Sequence, residues 1–88
     1  MADKLRQAIN AAEHAQQILD DQVLKDAWSG VEAELISMWK ESKADDTEGR
    51  EALYRELHSL KAVKARLERA IAAGKLAEKE LEHVKHGN

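Results

Sequence analysis

Large apolar residues recur at alternating steps of three and four along two segments of the chain, which is the spacing of one face of an α-helix. The first stripe is Leu24, Trp28, Val31, Leu35 and Met38, and the second is Leu53, Leu57, Leu60, Lys64, Leu67 and Ile71. The polar segment 43–47 lies between them. If the chain turns back at this segment, the two stripes face each other in these pairs: Trp39 with Leu53, Leu35 with Leu57, Val31 with Leu60, and Leu24 with Leu67. The residue numbers of each pair add to 91 or 92, so the pattern predicts an antiparallel hairpin of constant register, with Trp28 also on its inner face.

The helix boundaries follow from capping residues, because the chain contains no proline to interrupt a helix. We predict an all-α single domain over 1–88, with helices over about 22–42 and 46–73 and an N-terminal helix over about 3–19. Asp3 and the Asp20-Asp21 pair are suitable N-caps, and Asp45 with Glu48 resembles a capping box. Gly74 either ends the third helix, leaving a short C-terminal helix over about 75–84, or lies inside a longer one.

The N-terminal helix is predicted to be the weakest element. Its apolar positions form a narrow stripe rich in alanine, which buries little area: Leu5, Ile9, Ala12, Ala15 or Gln16, and Ile18 or Leu19. This helix either packs on the hairpin or extends from it. The whole chain has only 23 large apolar residues and three aromatic ones. Such a supply is small for a self-sufficient core, so we expect a coiled-coil-like oligomer in which a second copy completes the packing.

The apolar arc of the second helix widens towards the turn. Leu35, Ile36, Met38 and Trp39 span about 160° of the helical wheel, more than one facing helix covers. Trp and Tyr are also enriched as anchors of protein interfaces. The candidate interaction residues are therefore Ile36, Met38, Trp39 and Tyr54, which either cap the end of the hairpin or contact another protein.

The charges are distributed unevenly around a formal net charge of −3. Residues 13–49 carry ten acids and three bases, and residues 50–69 carry six bases and three acids. The pattern favours compensation between neighbouring helices over a nucleic-acid surface, because the hairpin places these two segments side by side. The basic residues also lack the glycine–aromatic interleaving of a nucleic-acid motif. The nucleic-acid alternative would use Arg55, Lys61, Lys64, Arg66 and Arg69. Lys64 lies within the stripe, where its stem can pack and Val63 can take over the core.

Little in the sequence indicates catalysis, so we predict that the protein is not an enzyme and uses no cofactor or metal. There are no cysteines, no Gly-rich phosphate loop and no nucleophile elbow. Glu80-x-x-His83 and His83-x-x-His86 have spacings seen at metal sites, but a di-metal bundle needs a second copy of the motif, and a solvated tail is the simpler interpretation. His14 and His58 are isolated and read as surface residues.

The segments Asp-Thr-Glu-Gly-Arg-Glu at 46–51 and Gly-Lys-Leu-Ala at 74–77 are the more specific pieces of the chain. They carry a resemblance, over about residues 20–82, to small helical proteins of tailed bacteriophages and prophages that are encoded among head and packaging genes. It implies a role in virion assembly through contacts with itself and with another phage or host protein. The alternatives are a nucleic-acid accessory protein and a small inhibitor of a host enzyme. No signal peptide or membrane span is apparent, so the expected location is the bacterial cytoplasm or the virion.

Overall fold

The fold is all-α, as predicted. The computed structural model describes residues 2–86 and contains three helices in that range: α1 (Ala2–Asp20), α2 (Gln22–Glu41) and α3 (Thr47–His86). The predicted hairpin helices and the N-terminal helix are all present. The first helix begins one residue before Asp3, whose carboxylate lies in the first turn, 4.0 Å from the Arg6 guanidinium.

A single residue, Asp21, separates α1 from α2. Its backbone is extended (φ −67°, ψ 123°), and its carboxylate accepts a hydrogen bond of 2.9 Å from the Leu24 amide. This is an N-cap interaction, since it satisfies one of the amides that a helix leaves free in its first turn. The predicted break at the Asp pair is confirmed.

Asp46, one residue later than predicted, caps the start of α3. Its carboxylate accepts a 3.1 Å hydrogen bond from the Gly49 amide, and its carbonyl accepts one of 3.0 Å from the Arg50 amide. The capping box of Asp45 with Glu48 is therefore wrong. Gly49 occupies the third helical position, where a Cβ would collide with the Asp46 carboxylate. Because glycine has no side chain that could return a hydrogen bond to Asp46, the cap relies on Asp46 alone.

The third helix runs through Gly74 without a break. The end near residue 73 and the separate helix over 75–84 are therefore wrong, and the long-helix alternative holds. Gly74 has no positive φ and is buried against α1, where an added Cβ would collide with the Ala12 Cβ and lie 3.1 Å from the Ala8 carbonyl oxygen. Glycine is present here because two helix backbones approach closely, not because the chain turns.

Together α1 and α2 form one arm of a hairpin, interrupted at Asp21, and α3 forms the other. The α1 helix packs extensively along the C-terminal half of α3 and approaches it more closely than α2 does. Small residues permit this approach: Ala8, Ala12, Ala15, Gly74 and Ala77. The N-terminal helix, predicted to be the weakest element, is thus the one in closest contact with α3.

The core between the arms is thin. The buried hydrophobic residues in 2–86 are Ala15, Leu35 and Ala77, and none of the large side chains there is fully buried. Two residues predicted to contribute to the core are exposed instead: Val31 is 44% exposed and Val63 is 55% exposed. Glu32, the neighbour of Val31, is half-buried. The cause is the shape of the molecule, 65 × 25 × 15 Å, whose smallest dimension is little more than the roughly 10–12 Å diameter of one helix.

Candidate protein-interaction surface

An open apolar groove lies between α2 and α3 near the turn. It is lined by Leu35, Ile36, Trp39, Leu53, Tyr54 and Leu57. The groove brings together the residues of two predicted hairpin pairs, Trp39 with Leu53 and Leu35 with Leu57. The groove exists because two helices cover only the inner side of each apolar stripe, and α1 packs at the other end of α3. Its volume of about 340 Å³ is near the lower bound of roughly 300–1,000 Å³ for ligand pockets. Its open, apolar lining suits protruding side chains better than a polar small molecule.

Three of the four candidate interaction residues meet at this groove. Ile36, Trp39 and Tyr54 line it and are 40%, 45% and 66% exposed. Met38 is 49% exposed but does not line it. Two residues along a helix turn it by about 200°, so Met38 lies on the opposite side of α2 from Ile36. The predicted single patch is therefore two surfaces.

Polar neighbours fix the orientation of Trp39. The Arg50 guanidinium lies over the indole ring, 4.4 Å from its centroid, which is a cation–π geometry. The Arg50 Nη1 donates a 3.3 Å hydrogen bond to the Ser42 hydroxyl, which in turn donates one of 2.5 Å to the Trp39 carbonyl. The sequence gives no signal for this role of Arg50, because Arg50 and Trp39 meet only after the chain turns.

The Tyr54 ring is also supported by a neighbour. It stacks on the His58 ring with 6.0 Å between centroids and 15° between planes. The two residues are one helical turn apart, so their i,i+4 spacing is the signal from which this contact was predictable. His58, interpreted from sequence as an isolated surface residue, thus contacts a residue that lines the apolar groove.

A second recess lies further from the turn, beside Trp28. Its lining includes Leu24, Trp28, Glu32 and Lys64, so Lys64 does occupy its predicted place in the stripe. The Trp28 Nε1 is buried and has no hydrogen-bond partner in the structure. A buried donor without an acceptor costs about 1–3 kcal/mol, so the unpaired Trp28 indole N–H lowers the stability of this part of the hairpin.

Ion pairs do not hold the acidic α2 to the basic segment of α3. In the part of the chain that the structure describes, the two ion pairs are Arg6 with Asp3 and Arg55 with Glu51, each within a single helix. Within residues 2–86, no ion pair carries the charge compensation predicted between these segments. The charged side chains along the hairpin remain available to another molecule.

The five basic residues of the nucleic-acid alternative do not form one strip. At about 100° per residue, Arg66 and Arg69 lie within about 40° of Arg55 around α3. Lys61 and Lys64 are turned by about 120° and 180° from it. All five are exposed, but they point to different sides of the helix.

No metal site is assembled in the described residues. Within 2–86, no group of three or more His, Asp or Glu side chains is placed to hold a metal ion. Glu80 and His83 are exposed on the last turns of α3, and the His86 side chain lies outside the described part. None of the helices α1 to α3 is both long and apolar enough to cross a membrane.

The fold and the groove define the class: a small all-α hairpin with one interrupted arm and an uncovered apolar groove near its turn. Comparison with protein-family models, with curated proteins and with solved structures found no match to the chain. The resemblance to phage head and packaging proteins therefore stays a prediction.

Proposed function

We propose that this chain is a non-enzymatic assembly protein that acts through protein–protein contacts. The observation that carries the proposal is the apolar groove, in which Ile36, Trp39 and Tyr54 are exposed together. Contiguous apolar surface that is held in place, rather than scattered, is characteristic of interaction sites. The Arg50 and His58 contacts hold the two aromatic rings in position, which lowers the entropy lost when a partner binds.

The resemblance of residues 20–82 to phage proteins gives this proposal its setting. We infer a role in assembly of the virion head or in packaging, with the chain located in the bacterial host cytoplasm or associated with the particle. Its partners are a further copy of itself and another phage or host protein. Inhibition of a host enzyme would use the same groove, and would appear as a stable complex outside particles.

Nucleic-acid binding receives less support from the geometry. Affinity for a nucleic-acid backbone comes from several cations acting on one surface. Of the five basic residues, Arg55, Arg66 and Arg69 share a side of α3, whereas Lys61 and Lys64 point away from it. The acidic balance of the chain, −3 overall, also opposes attraction to phosphate.

The test compares three forms of the protein in the phage or prophage that encodes it. The wild-type chain is expected to be present in purified particles or assembly intermediates, measured by quantitative mass spectrometry. The double variant Ile36→Glu/Tyr54→Glu should lose this association and reduce the yield of complete particles. Val23→Glu is the matched control, because Val23 is a 77% exposed apolar residue of α2 that does not line the groove. Unchanged association and yield in the double variant would overturn the proposal.

A further inference from the structure

The single chain leaves more surface uncovered than a folded monomer of its size. Its accessible surface is 7110 Å². A compact monomer of 9.9 kDa exposes about 5,200 Å² by the scaling of area with mass, so the surplus is about 1,900 Å² per chain. A specific interface of standard size needs only about 800 Å² from each partner. The chain therefore has enough unburied surface to build a stable interface.

We infer that the occupant of the apolar groove is a second copy of this chain, forming a two-fold symmetric four-helix bundle around the hairpin ends. This inference rests on the proposal that the groove is a docking surface, and it names the partner. A two-fold interface requires one surface that is complementary to itself. The groove meets this requirement, because its floor of Leu35, Leu53 and Leu57 is flanked by the projecting side chains of Ile36 and Tyr54.

The charges along the same face decide how the second copy is oriented. On α2, the row that contains Ile36 continues at helical spacing through Lys25, Glu32, Ile36 and Lys40. On α3, the row that contains Tyr54 continues through Glu51, Tyr54, Lys61 and Glu68. Glu32 and Lys25 line the second recess, so this recess opens on the same face as the groove.

The two rows carry opposite charges at three levels of the hairpin, and Lys64 lines the second recess beside Lys25 and Glu32. Within one residue of the predicted hairpin register, Lys40 lies level with Glu51, Glu32 with Lys61, and Lys25 with Glu68. Between Lys40–Glu51 and Glu32–Lys61 lies the apolar pair of Ile36 and Tyr54. None of these three charge pairs forms a salt bridge within the described chain, since both ion pairs there are intrahelical.

This complementarity selects one arrangement. A second copy packed face to face, with its turn beside that of the first, places α2 of each chain on α3 of the other and runs all neighbouring helices antiparallel. Lys40, Glu32 and Lys25 of one chain then lie over Glu51, Lys61 and Glu68 of the other. The reverse arrangement, with turns at opposite ends, packs α2 on α2 and α3 on α3 and leaves the three charge pairs unmade.

Sedimentation equilibrium of the full chain over a wide concentration range tests the dimer. The wild-type protein is expected to pass from the 9.9 kDa chain to a dimer of twice that mass. Ile36→Glu/Tyr54→Glu should raise the dissociation constant by about 100-fold or more, because four carboxylates enter an apolar interface. The Val23→Glu control should dimerise like the wild type, and circular dichroism shows that each variant remains helical.

A charge exchange between chains tests the arrangement. The single variants Glu32→Lys and Lys61→Glu each create two like-charge contacts per dimer, so each should dimerise about tenfold more weakly. Mixed together they should form a heterodimer close to wild-type strength. In that heterodimer both contacts between chains become attractive again, while those within each chain stay repulsive. Recovery in the mixture therefore reports contacts between chains.

The outcomes separate this inference from the proposed function. A monomer at all concentrations, or a dimer that is insensitive to Ile36→Glu/Tyr54→Glu, overturns the inference. A mixture that does not recover overturns the arrangement of α2 on α3. If the chain is monomeric and its association with particles still depends on Ile36 and Tyr54, the proposed function stands and the groove belongs to a different partner. If the dimer forms and particles lack the chain, the proposed function fails instead.

Discussion

Replacing Gly74 with alanine tests the close contact between α1 and α3, and the structure predicts the opposite of the usual effect. Alanine is favoured over glycine inside a helix by about 0.8–1.0 kcal/mol, so local propensity alone predicts stabilisation. At Gly74 the new Cβ would collide with the Ala12 Cβ. Neither atom belongs to a flexible side chain, so the helix backbones must separate. Overpacking of this kind costs about 1–3 kcal/mol, which gives a net destabilisation of about 0–2 kcal/mol.

Gly30 provides the matched control. It also lies inside a helix, and nothing lies within 4 Å of the position of its Cβ. Gly30→Ala should therefore stabilise the protein by up to about 1 kcal/mol. The free energies of unfolding of the two variants should differ by about 1–3 kcal/mol. In a domain of this size, each kcal/mol shifts the melting temperature by roughly 4–8 °C.

The assay is thermal and urea unfolding followed by circular dichroism, at one fixed chain concentration because self-association would shift the transition. The double variant Gly74→Ala/Ala12→Gly reopens the contact and should recover part of the loss, with a coupling energy of at least about 1 kcal/mol in a double-mutant cycle. If Gly74→Ala raised the melting temperature as much as Gly30→Ala does, α1 could not lie where the structure places it.

Three further predictions concern single side chains. Asp21→Ala should cost about 1 kcal/mol in urea unfolding, because the Leu24 amide loses its cap; no change would mean that the break between α1 and α2 is not capped. Asp46→Ala should cost a similar amount and Asp45→Ala almost nothing, and equal effects would contradict the assignment of the cap. Trp28→Phe should change stability by less than about 1 kcal/mol, because removing an unpaired buried donor offsets the lost contact area. A loss well above that would show that the indole N–H has an acceptor.

The sequence was sufficient for the parts of the structure that depend on local chemistry. Steps of three and four between apolar residues predicted α2 and α3, and the capping preference of aspartate predicted the break at Asp21. The facing of Leu35 with Leu57 followed from the turn between the two stripes. Each of these features depends on residues close in sequence or on a single turn of the chain, so the spacing of apolar and capping residues is enough to predict it.

The sequence predictions were wrong at positions where the neighbouring residues fit two structures equally well. Gly74 fits both a helix end and a helix interior, and only the approach of Ala12 decides between them. Asp45 and Asp46 are adjacent and equally good caps, so the choice depends on where the turn places them. Val31 and Glu32 are also neighbours, and a small rotation of α2 exposes the apolar residue and half-buries the acidic one.

The candidate surface was predicted in part. An excess of apolar residues near the turn identified Ile36, Trp39 and Tyr54, because one facing helix cannot cover so wide an arc. Met38 belonged to the same excess but lies on the other side of α2. The sequence cannot divide such an arc between two faces, since the division depends on the rotation of α2 against α3.

By itself, the sequence determined the helices, the turn, the fold-back and the presence of uncovered apolar surface, because all of these follow from periodicity, capping and composition. Tertiary structure alone decided which helices approach most closely. Ala8, Ala12, Gly74 and Ala77 recur at steps of three and four, but such small residues fit an exposed helix surface as well as a close helix contact, and only the packing of α1 on α3 decides between the two. Tertiary structure also decided that Arg50 covers Trp39, because a contact across the turn is made only when both helices are in place.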